Sequence, residues 1–178
     1  MTKNNKIEDS LNKLFLTSEY KMVNVSDKAI THRKALAVGE IILGYQVIEM
    51  IKNKKMPKGA PLSLAEISGI NGAKKTNELI PLCHPLSLDH ISLHTEINDE
   101  KHSVNVYCLV SANSKTGVEM EALSGVSAAL LTIYDLSKIV EPNLKIINTK
   151  LLIKSGGKTG LWTNPGGIPE KIKNILKI

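Results

Sequence analysis

The sequence of 178 residues has few aromatic side chains, few cysteines and almost no arginine. Phe, Trp and Tyr make up 3% of the chain, which disfavours a surface that binds single-stranded RNA by stacking bases on aromatic rings. The two cysteines, Cys83 and Cys108, have no paired spacing, which argues against a disulfide framework and against a zinc ribbon. Because free cysteines fit a reducing compartment, we expect a cytoplasmic protein.

Long apolar runs are missing as well. No segment approaches the roughly 20 apolar residues that a membrane-spanning helix needs, and the first residues, MTKNNKIEDS, lack the basic-then-apolar pattern of a signal peptide. The chain is 42% hydrophobic and 22% charged, as is typical of folded soluble proteins. Its length suits one domain with one core.

The charge of the chain is strongly basic, with a formal net charge of +6. Of its 23 basic residues only Arg33 is an arginine. A basic surface favours an anionic partner, which could be nucleic acid, a membrane surface or a phosphorylated small molecule, and charge alone does not choose among them.

The segment 115–138, KTGVEMEALSGVSAALLTIYDLSK, has the strongest helical pattern in the chain. Apolar residues recur there at steps of three and four, which predicts a helix from about residue 120. Small side chains surround this apolar stripe and predict close contact with another element of structure. The stripe consists of Leu123, Val126, Leu130 and Ile133, and the small residues are Ala122, Ser124, Gly125, Ser127, Ala128 and Ala129.

Charged residues lie at both ends of this predicted helix. Asp135 and Lys138 are three residues apart on one face, where each can tune the pKa of the other for proton transfer. Charges that complement the helix dipole are an equally ordinary explanation. Glu121 and Asp135 are separated by 14 residues, or roughly 21 Å along the axis, so one chain can hardly bring both to one small reacting centre.

The other elements are predicted from their periodicity and their turn residues. Alternating residues predict strands at 31–43, 91–97, 104–110 and 145–154, and helical patterns predict helices at 45–51 and 63–79, the second capped by Ser63. The order strand, helix, strand, strand, helix, strand indicates an α+β fold, the ferredoxin-like plait (βαββαβ), an antiparallel sheet with helices on one face. The other face of the sheet then needs a cover, and a second subunit would supply it.

Several short motifs allow more than one interpretation. The prolines of IPLCHPL place Cys83 and His84 on a stiff turn, and Pro57 and Gly59 constrain Lys58. SGGKTG lacks the first glycine of a P-loop, so Lys154 and Lys158 around its glycines either bind phosphate or only flank a turn. Cys83, His84, His90 and His94 suggest a metal, but two of these histidines fall on the polar face of a strand without a nearby carboxylate. We therefore expect no bound metal and no cofactor.

Four blocks of sequence together resemble one enzyme family. MVNVSDKAITHRKALAVGEI, GAKKTNELIPLCHPLSLDHI, KTGVEMEALSGVSAALLTIYDLSK and LLIKSGGKTG are similar, in this order, to the cyclic pyranopterin monophosphate synthase family of molybdenum cofactor biosynthesis. The resemblance implies a catalytic domain at 22–160, with an N-terminal extension at 1–21 and a C-terminal tail at 161–178. It also implies a homohexamer, a trimer of dimers with active sites at subunit interfaces.

The reaction implied by the resemblance converts (8S)-3′,8-cyclo-7,8-dihydroguanosine 5′-triphosphate to cyclic pyranopterin monophosphate and pyrophosphate. The family's catalytic positions match Lys58, Asp135 and Lys138, with the lysines as acid and base and the aspartate holding an amine in place. Its substrate-binding positions match Arg33, Leu82, Cys83, His84, Glu119, Met120, Glu121 and Lys154. We expect Lys58 of one chain to meet Asp135 of another, because the sites are shared.

Two other functions compete with this one. An RNA-binding plait module has the same topology and a basic surface, but it needs aromatic residues on its middle strands, where only Tyr107 is predicted. An oligomeric scaffold without catalysis would leave Lys58, Asp135 and Lys138 unexplained.

Overall fold

The sheet has five strands, and each pair of neighbours is antiparallel. The computed structural model describes residues 7, 10–13, 18–158 and 160–177. The strands are β1 (Thr31–Ile42), β2 (His90–Asn98), β3 (Ser103–Ser114), β4 (Lys145–Ser155) and β5 (Trp162–Thr163), in the spatial order β2-β3-β1-β4-β5. The first four stand in the order 2-3-1-4, which confirms the ferredoxin-like plait. The fifth strand is an addition at the β4 edge.

From residue 18 onward, the helices of the described chain are α1 (Tyr45–Lys52), α2 (Pro61–Lys74), α3 (Thr76–Leu79), α4 (Glu119–Ser137) and α5 (Glu170–Leu176). The predicted cap at Ser63 is wrong. The second helix begins instead at Pro61, after the extended residue Ala60, and no described side chain caps it. Proline is favoured at the first helical position, because the N–H that it lacks would have no hydrogen-bond partner there. None of the described helices combines the length and apolar character needed to cross a membrane.

The main core lies between the sheet and the pair α2 and α4. On β1 the buried Ala35, Ala37 and Ile41 face this core, as their alternation predicts. Val126 and Ile133 of α4 are also fully buried in it. These side chains keep α4 on the sheet, which fixes the positions of the charged residues at its two ends.

Small residues bring α2 and α4 close together. A Cβ atom at Gly125 would lie 2.6 Å from Sγ of Cys108 and 3.2 Å from the carbonyl oxygen of Gly69. At Gly72 it would lie 3.0 Å from the carbonyl oxygen of Ser124. The close contact predicted for the small side chains of α4 is therefore confirmed, and it is made within one chain.

The second face of the sheet carries a smaller core under the C-terminal tail. Val38, Tyr107 and Leu152 are buried there, and Ile172 of α5 packs against them. Lys171, also on α5, forms a 2.7 Å ion pair with Glu96 of β2. Part of the face for which a second subunit was expected is thus covered by the chain's own tail.

Candidate active site

Two amines and one carboxylate meet at the C-terminal end of α4, and we call them the lysine–aspartate cluster. Asp135 lies in the last turn of the helix and Lys138 is its C-cap residue. The ammonium of Lys138 lies 2.8 Å from Oδ1 of Asp135, and that of Lys58 lies 3.3 Å from Oδ2. One carboxylate therefore holds both amines, one on each oxygen.

Lys58 reaches this cluster from within the same chain. It lies on the turn between α1 and α2, where Gly59 has a φ of 96°, and its ammonium is also 3.5 Å from the main-chain oxygen of Asp135. The prediction that Lys58 meets an Asp135 of another chain is therefore wrong. The turn that carries Lys58 lies against the C-terminal end of α4, which the sequence separation of 77 residues does not reveal.

The ion pairs shift the pKa values in opposite directions. The hydrogen bond from Lys138, followed by that from Lys58, lowers the pKa of Asp135. The hydrogen bond to Asp135 raises the pKa of Lys138. The ion pair thus holds Asp135 as a carboxylate and Lys138 as an ammonium ion, so the carboxylate fixes the position of a charged amine.

The other predicted site residues surround a cavity of about 410 Å³ at the N-terminal end of α4, which we call the Glu121 pocket. The stiff turn of IPLCHPL forms one side and the start of α4 forms the other. Its lining includes five predicted residues, Leu82, Cys83, His84, Glu119 and Met120, together with Glu121 itself. The structure thus brings together six of the eight residues predicted to bind substrate.

Glu121 is the most buried ionisable group of this pocket. Glu121 is only 3% exposed, and its Oε2 atom has no hydrogen-bond partner among the described residues. Burial raises the pKa of Glu121, and the negative charge of Glu119 raises it further. Burial also raises the pKa of the Cys83 thiol, with a further contribution from Glu121. An unpaired buried carboxyl is costly, so a polar ligand group in the pocket would be bound by it.

The raised pKa of Glu121 predicts how stability depends on pH. The folded state holds a proton that the unfolded chain releases near the ordinary glutamate value of 4.5, so stability falls as the pH rises from there through the folded-state pKa. We expect Glu121→Gln to match the wild type near pH 4.5 and to melt at a higher temperature at neutral pH. The difference, roughly 1–3 kcal/mol of unfolding free energy, is measured by thermal unfolding across this range. A difference in stability between Glu121→Gln and the wild type that does not change with pH would contradict the raised pKa of Glu121.

A segment before β1 covers part of this pocket, and its contribution was not predicted from charge or spacing. Val23, Val25 and Lys28 line the cavity. The carbonyl oxygen of Val23 accepts a 2.9 Å hydrogen bond from Nε2 of His84, so this nitrogen carries the proton. The segment lies within the MVNVSDKAI block. In the sequence, only the family resemblance of this block could have indicated that the segment contributes to the pocket.

Arg33 and Lys154, the two remaining predicted residues, lie on neighbouring strands next to the pocket. Arg33 on β1 donates to the main-chain oxygens of Ser114 and Lys115, at 3.4 and 3.3 Å. Lys154 on β4 forms a 3.1 Å ion pair with Glu119, a pocket residue. Positive charge is therefore placed at the edge of the pocket, as an anionic substrate would require.

The two groups of site residues are separated by the length of α4. Glu121 near its start and Asp135 in its last turn are 14 residues apart, about 21 Å at 1.5 Å per residue. Among the described residues, no three His, Cys, Asp or Glu side chains lie close enough together to hold a metal ion. One chain thus presents the Glu121 pocket at one end of the helix and the lysine–aspartate cluster at the other.

Comparisons with known proteins agree on one family. A protein-family model described as the MoaC family matches residues 22–157. The chain is 42% identical over 145 residues to the cyclic pyranopterin monophosphate synthase of Chloroflexus aurantiacus, which covers 82% of the chain and 89% of that protein. It is 46% identical over 140 residues to the enzyme of the same name from Helicobacter pylori, with 79% and 89% covered. The mitochondrial relative from Arabidopsis thaliana is 43% identical over 148 residues, which are 83% of this chain and 55% of the longer relative.

Proposed function

The chain belongs to the MoaC family, and from this membership we propose how it carries out a cyclic pyranopterin monophosphate synthase reaction. It is an enzyme of molybdenum cofactor biosynthesis. Its proposed substrate is (8S)-3′,8-cyclo-7,8-dihydroguanosine 5′-triphosphate, and its products are cyclic pyranopterin monophosphate and pyrophosphate. The observation that carries the mechanism is the carboxylate of Asp135 held between the ammonium groups of Lys58 and Lys138.

Proton transfer is the proposed task of the lysine–aspartate cluster. Rearrangement of the purine-derived ring moves protons between nitrogen and oxygen atoms, and positioned acids and bases accelerate such steps by about 10²–10⁴-fold. Lys58 and Lys138 are the proposed acid and base, because both amines lie at the one carboxylate of Asp135. Asp135 orients both amines.

Substrate recognition is the proposed task of the Glu121 pocket. The unpaired Oε2 of Glu121 would bind the guanine-derived edge, together with the turn of Leu82, Cys83 and His84. Arg33 and Lys154 at the pocket edge would hold the phosphates and stabilise the charge of the departing pyrophosphate. A ribose-derived hydroxyl attacks the α-phosphorus, and its proton passes to the departing pyrophosphate. The bond between the α-phosphorus and the oxygen that bridges to the β-phosphorus breaks, that oxygen leaves with the pyrophosphate, and the cyclic phosphate forms.

A complete site is proposed to need two copies of the chain. The distance of about 21 Å between Glu121 and Asp135 exceeds the reach of one reacting centre, whereas a second chain can bring its lysine–aspartate cluster to the first chain's Glu121 pocket. A homohexamer built as a trimer of dimers would repeat this contact by symmetry. A cytoplasmic location is proposed because Cys83 and Cys108 are unpaired, as a reducing compartment would keep them.

The competing RNA-binding function is disfavoured by the middle strands. Tyr107 is only 9% exposed, and its ring stacks on His94 at a centroid distance of 6.2 Å. Its ring is therefore not available as the stacking platform that an RNA-binding plait presents.

The proposed function is tested by product analysis. Purified protein incubated with the cyclised nucleotide should release one pyrophosphate for each cyclic pyranopterin monophosphate formed. Pyrophosphate is measured by a coupled phosphatase assay and the pterin by chromatography. Consumption of substrate with inorganic phosphate as the only released anion, or no consumption at all, would overturn the proposal.

A further inference from the structure

We propose that Trp162 is a positioning residue that holds the ammonium group of Lys154 at the phosphate end of the site. The inference rests on the proposed function, because it gives Lys154 a phosphate to bind. Trp162 lies outside the residues 22–157 matched by the family model and belongs to the tail to which no role was assigned from sequence. It is also the single tryptophan of the chain.

Strand pairing places the ring beside the lysine. In the short β5, Trp162 is the direct cross-strand partner of Lys154 on β4, and the ammonium lies 5.7 Å from the ring centroid. This distance is within the roughly 6 Å over which a cation is attracted to an aromatic face. Cross-strand neighbours on an antiparallel pair are held in register by the ladder itself, so this contact does not depend on a flexible loop.

Asn164 anchors the strand that carries the ring. Its main-chain N–H donates a 2.8 Å hydrogen bond to the carbonyl oxygen of Leu152. Its side-chain amide donates a second hydrogen bond, of 2.7 Å, to the carbonyl oxygen of Leu151. A two-residue strand would be weakly held alone, but these hydrogen bonds fix the chain to β4 directly after β5, two residues beyond Trp162. The ring therefore has a defined position relative to Lys154.

The ring and Glu119 restrain Lys154 in different ways. Glu119, 3.1 Å away, neutralises the ammonium group while it holds it. The face of Trp162 attracts the same group through its quadrupole and adds no opposing charge. When phosphate oxygens replace Glu119 as the partner of Lys154, the ring still stabilises the extended lysine side chain. Less side-chain freedom is then lost on binding, which tightens the complex.

Kinetics and calorimetry of two substitutions test this role. Trp162→Leu keeps an apolar side chain without a π face, and Trp162→Phe keeps a weaker π face. We expect Trp162→Leu to raise KM for substrate and Kd for pyrophosphate, measured by titration calorimetry, by about two- to fivefold, the range of a partly exposed cation–π contact. The value of kcat should stay within about twofold, because Lys154 remains present to stabilise the departing pyrophosphate. Trp162→Phe should recover part of the loss.

Two further variants separate failure of this inference from failure of the proposed function. Leu161→Ala changes the exposed neighbour of Trp162 and should bind pyrophosphate as the wild type does. Lys154→Met should abolish the pyrophosphate-induced change in the fluorescence of the single tryptophan and weaken binding more than Trp162→Leu does. If Lys154→Met binds pyrophosphate normally, both the proposed phosphate end and the role of Trp162 are overturned. If Lys154→Met binds weakly but Trp162→Leu behaves as wild type, or if the Phe and Leu variants are equally impaired, only the role of Trp162 is overturned.

Discussion

Asp135→Asn should lower kcat by about 10²–10⁴-fold, the range for loss of positioned acid–base catalysis. The amide has the shape of the carboxylate but no charge, so it no longer holds the two ammonium groups of Lys58 and Lys138 in place. Because Asp135 is half-exposed and the change conserves volume, the fold and the oligomer should remain intact. The rate of pyranopterin formation at saturating substrate measures the effect, and circular dichroism and size-exclusion chromatography check the structure.

A second carboxylate in the chain provides the control for this substitution. Glu49 pairs with Lys52 three residues later, at 3.7 Å, and is exposed to a similar extent. Glu49→Gln removes a carboxylate from an equivalent helical pair outside the site and should leave kcat unchanged. An Asp135→Asn enzyme as active as the Glu49→Gln enzyme would show that the lysine–aspartate cluster does not carry out the chemistry.

Mixed oligomers should regain activity when the two inactive parents carry substitutions at opposite ends of α4. Asp135→Asn chains keep an intact Glu121 pocket, and Glu121→Ala chains keep an intact lysine–aspartate cluster. If each site combines the pocket of one chain with the cluster of another, random mixing at equal amounts restores about a quarter of the sites. The two proteins are unfolded together, reassembled and assayed, and native mass spectrometry verifies that mixed oligomers have formed.

The matched mixture combines Lys58→Ala with Asp135→Asn and should stay inactive. Lys58 and Asp135 are 3.3 Å apart in one chain, so every cluster in that mixture lacks one of the two groups. Shared sites are refuted if the Asp135→Asn and Glu121→Ala mixture is as inactive as its parents. Recovery in the Lys58→Ala mixture would instead mean that Lys58 can serve a neighbouring chain.

Regular periodicity made most of the fold predictable. The alternation along 31–43 and the helical stripe of α4 identified their elements to within a few residues, because one buried face imposes a fixed period on the sequence. The features that were missed have no such period. The proline at position 61 begins α2 ahead of Ser63, and β5 is only two residues long. Neither a single residue nor a pair of residues can display a repeat.

The sequence predicted which residues belong to the candidate site, but it did not predict all the contacts between them. Asp135 and Lys138 could be paired from their spacing alone, since three residues on a helix share a face. Lys58 could not be joined to them, because a loop 77 positions away carries it and loop direction is set by tertiary contacts. The burial of Glu121 was equally hidden. A glutamate in the first turn of a helix is ordinarily exposed, where it complements the positive end of the helix.

The contact of α4 with α2 at Gly69 and Gly125 also limits how the gene can change in length. The helix cannot slide or turn in its groove, since even one added carbon at Gly125 meets Cys108 and the backbone of α2. One inserted codon between Glu121 and Asp135 would rotate everything beyond it by about 100° and move it 1.5 Å along the axis. The lysine–aspartate cluster would then face away from Lys58. Natural insertions and deletions should therefore accumulate in loops outside the site, such as 99–102, and be absent from the 15 positions 121–135.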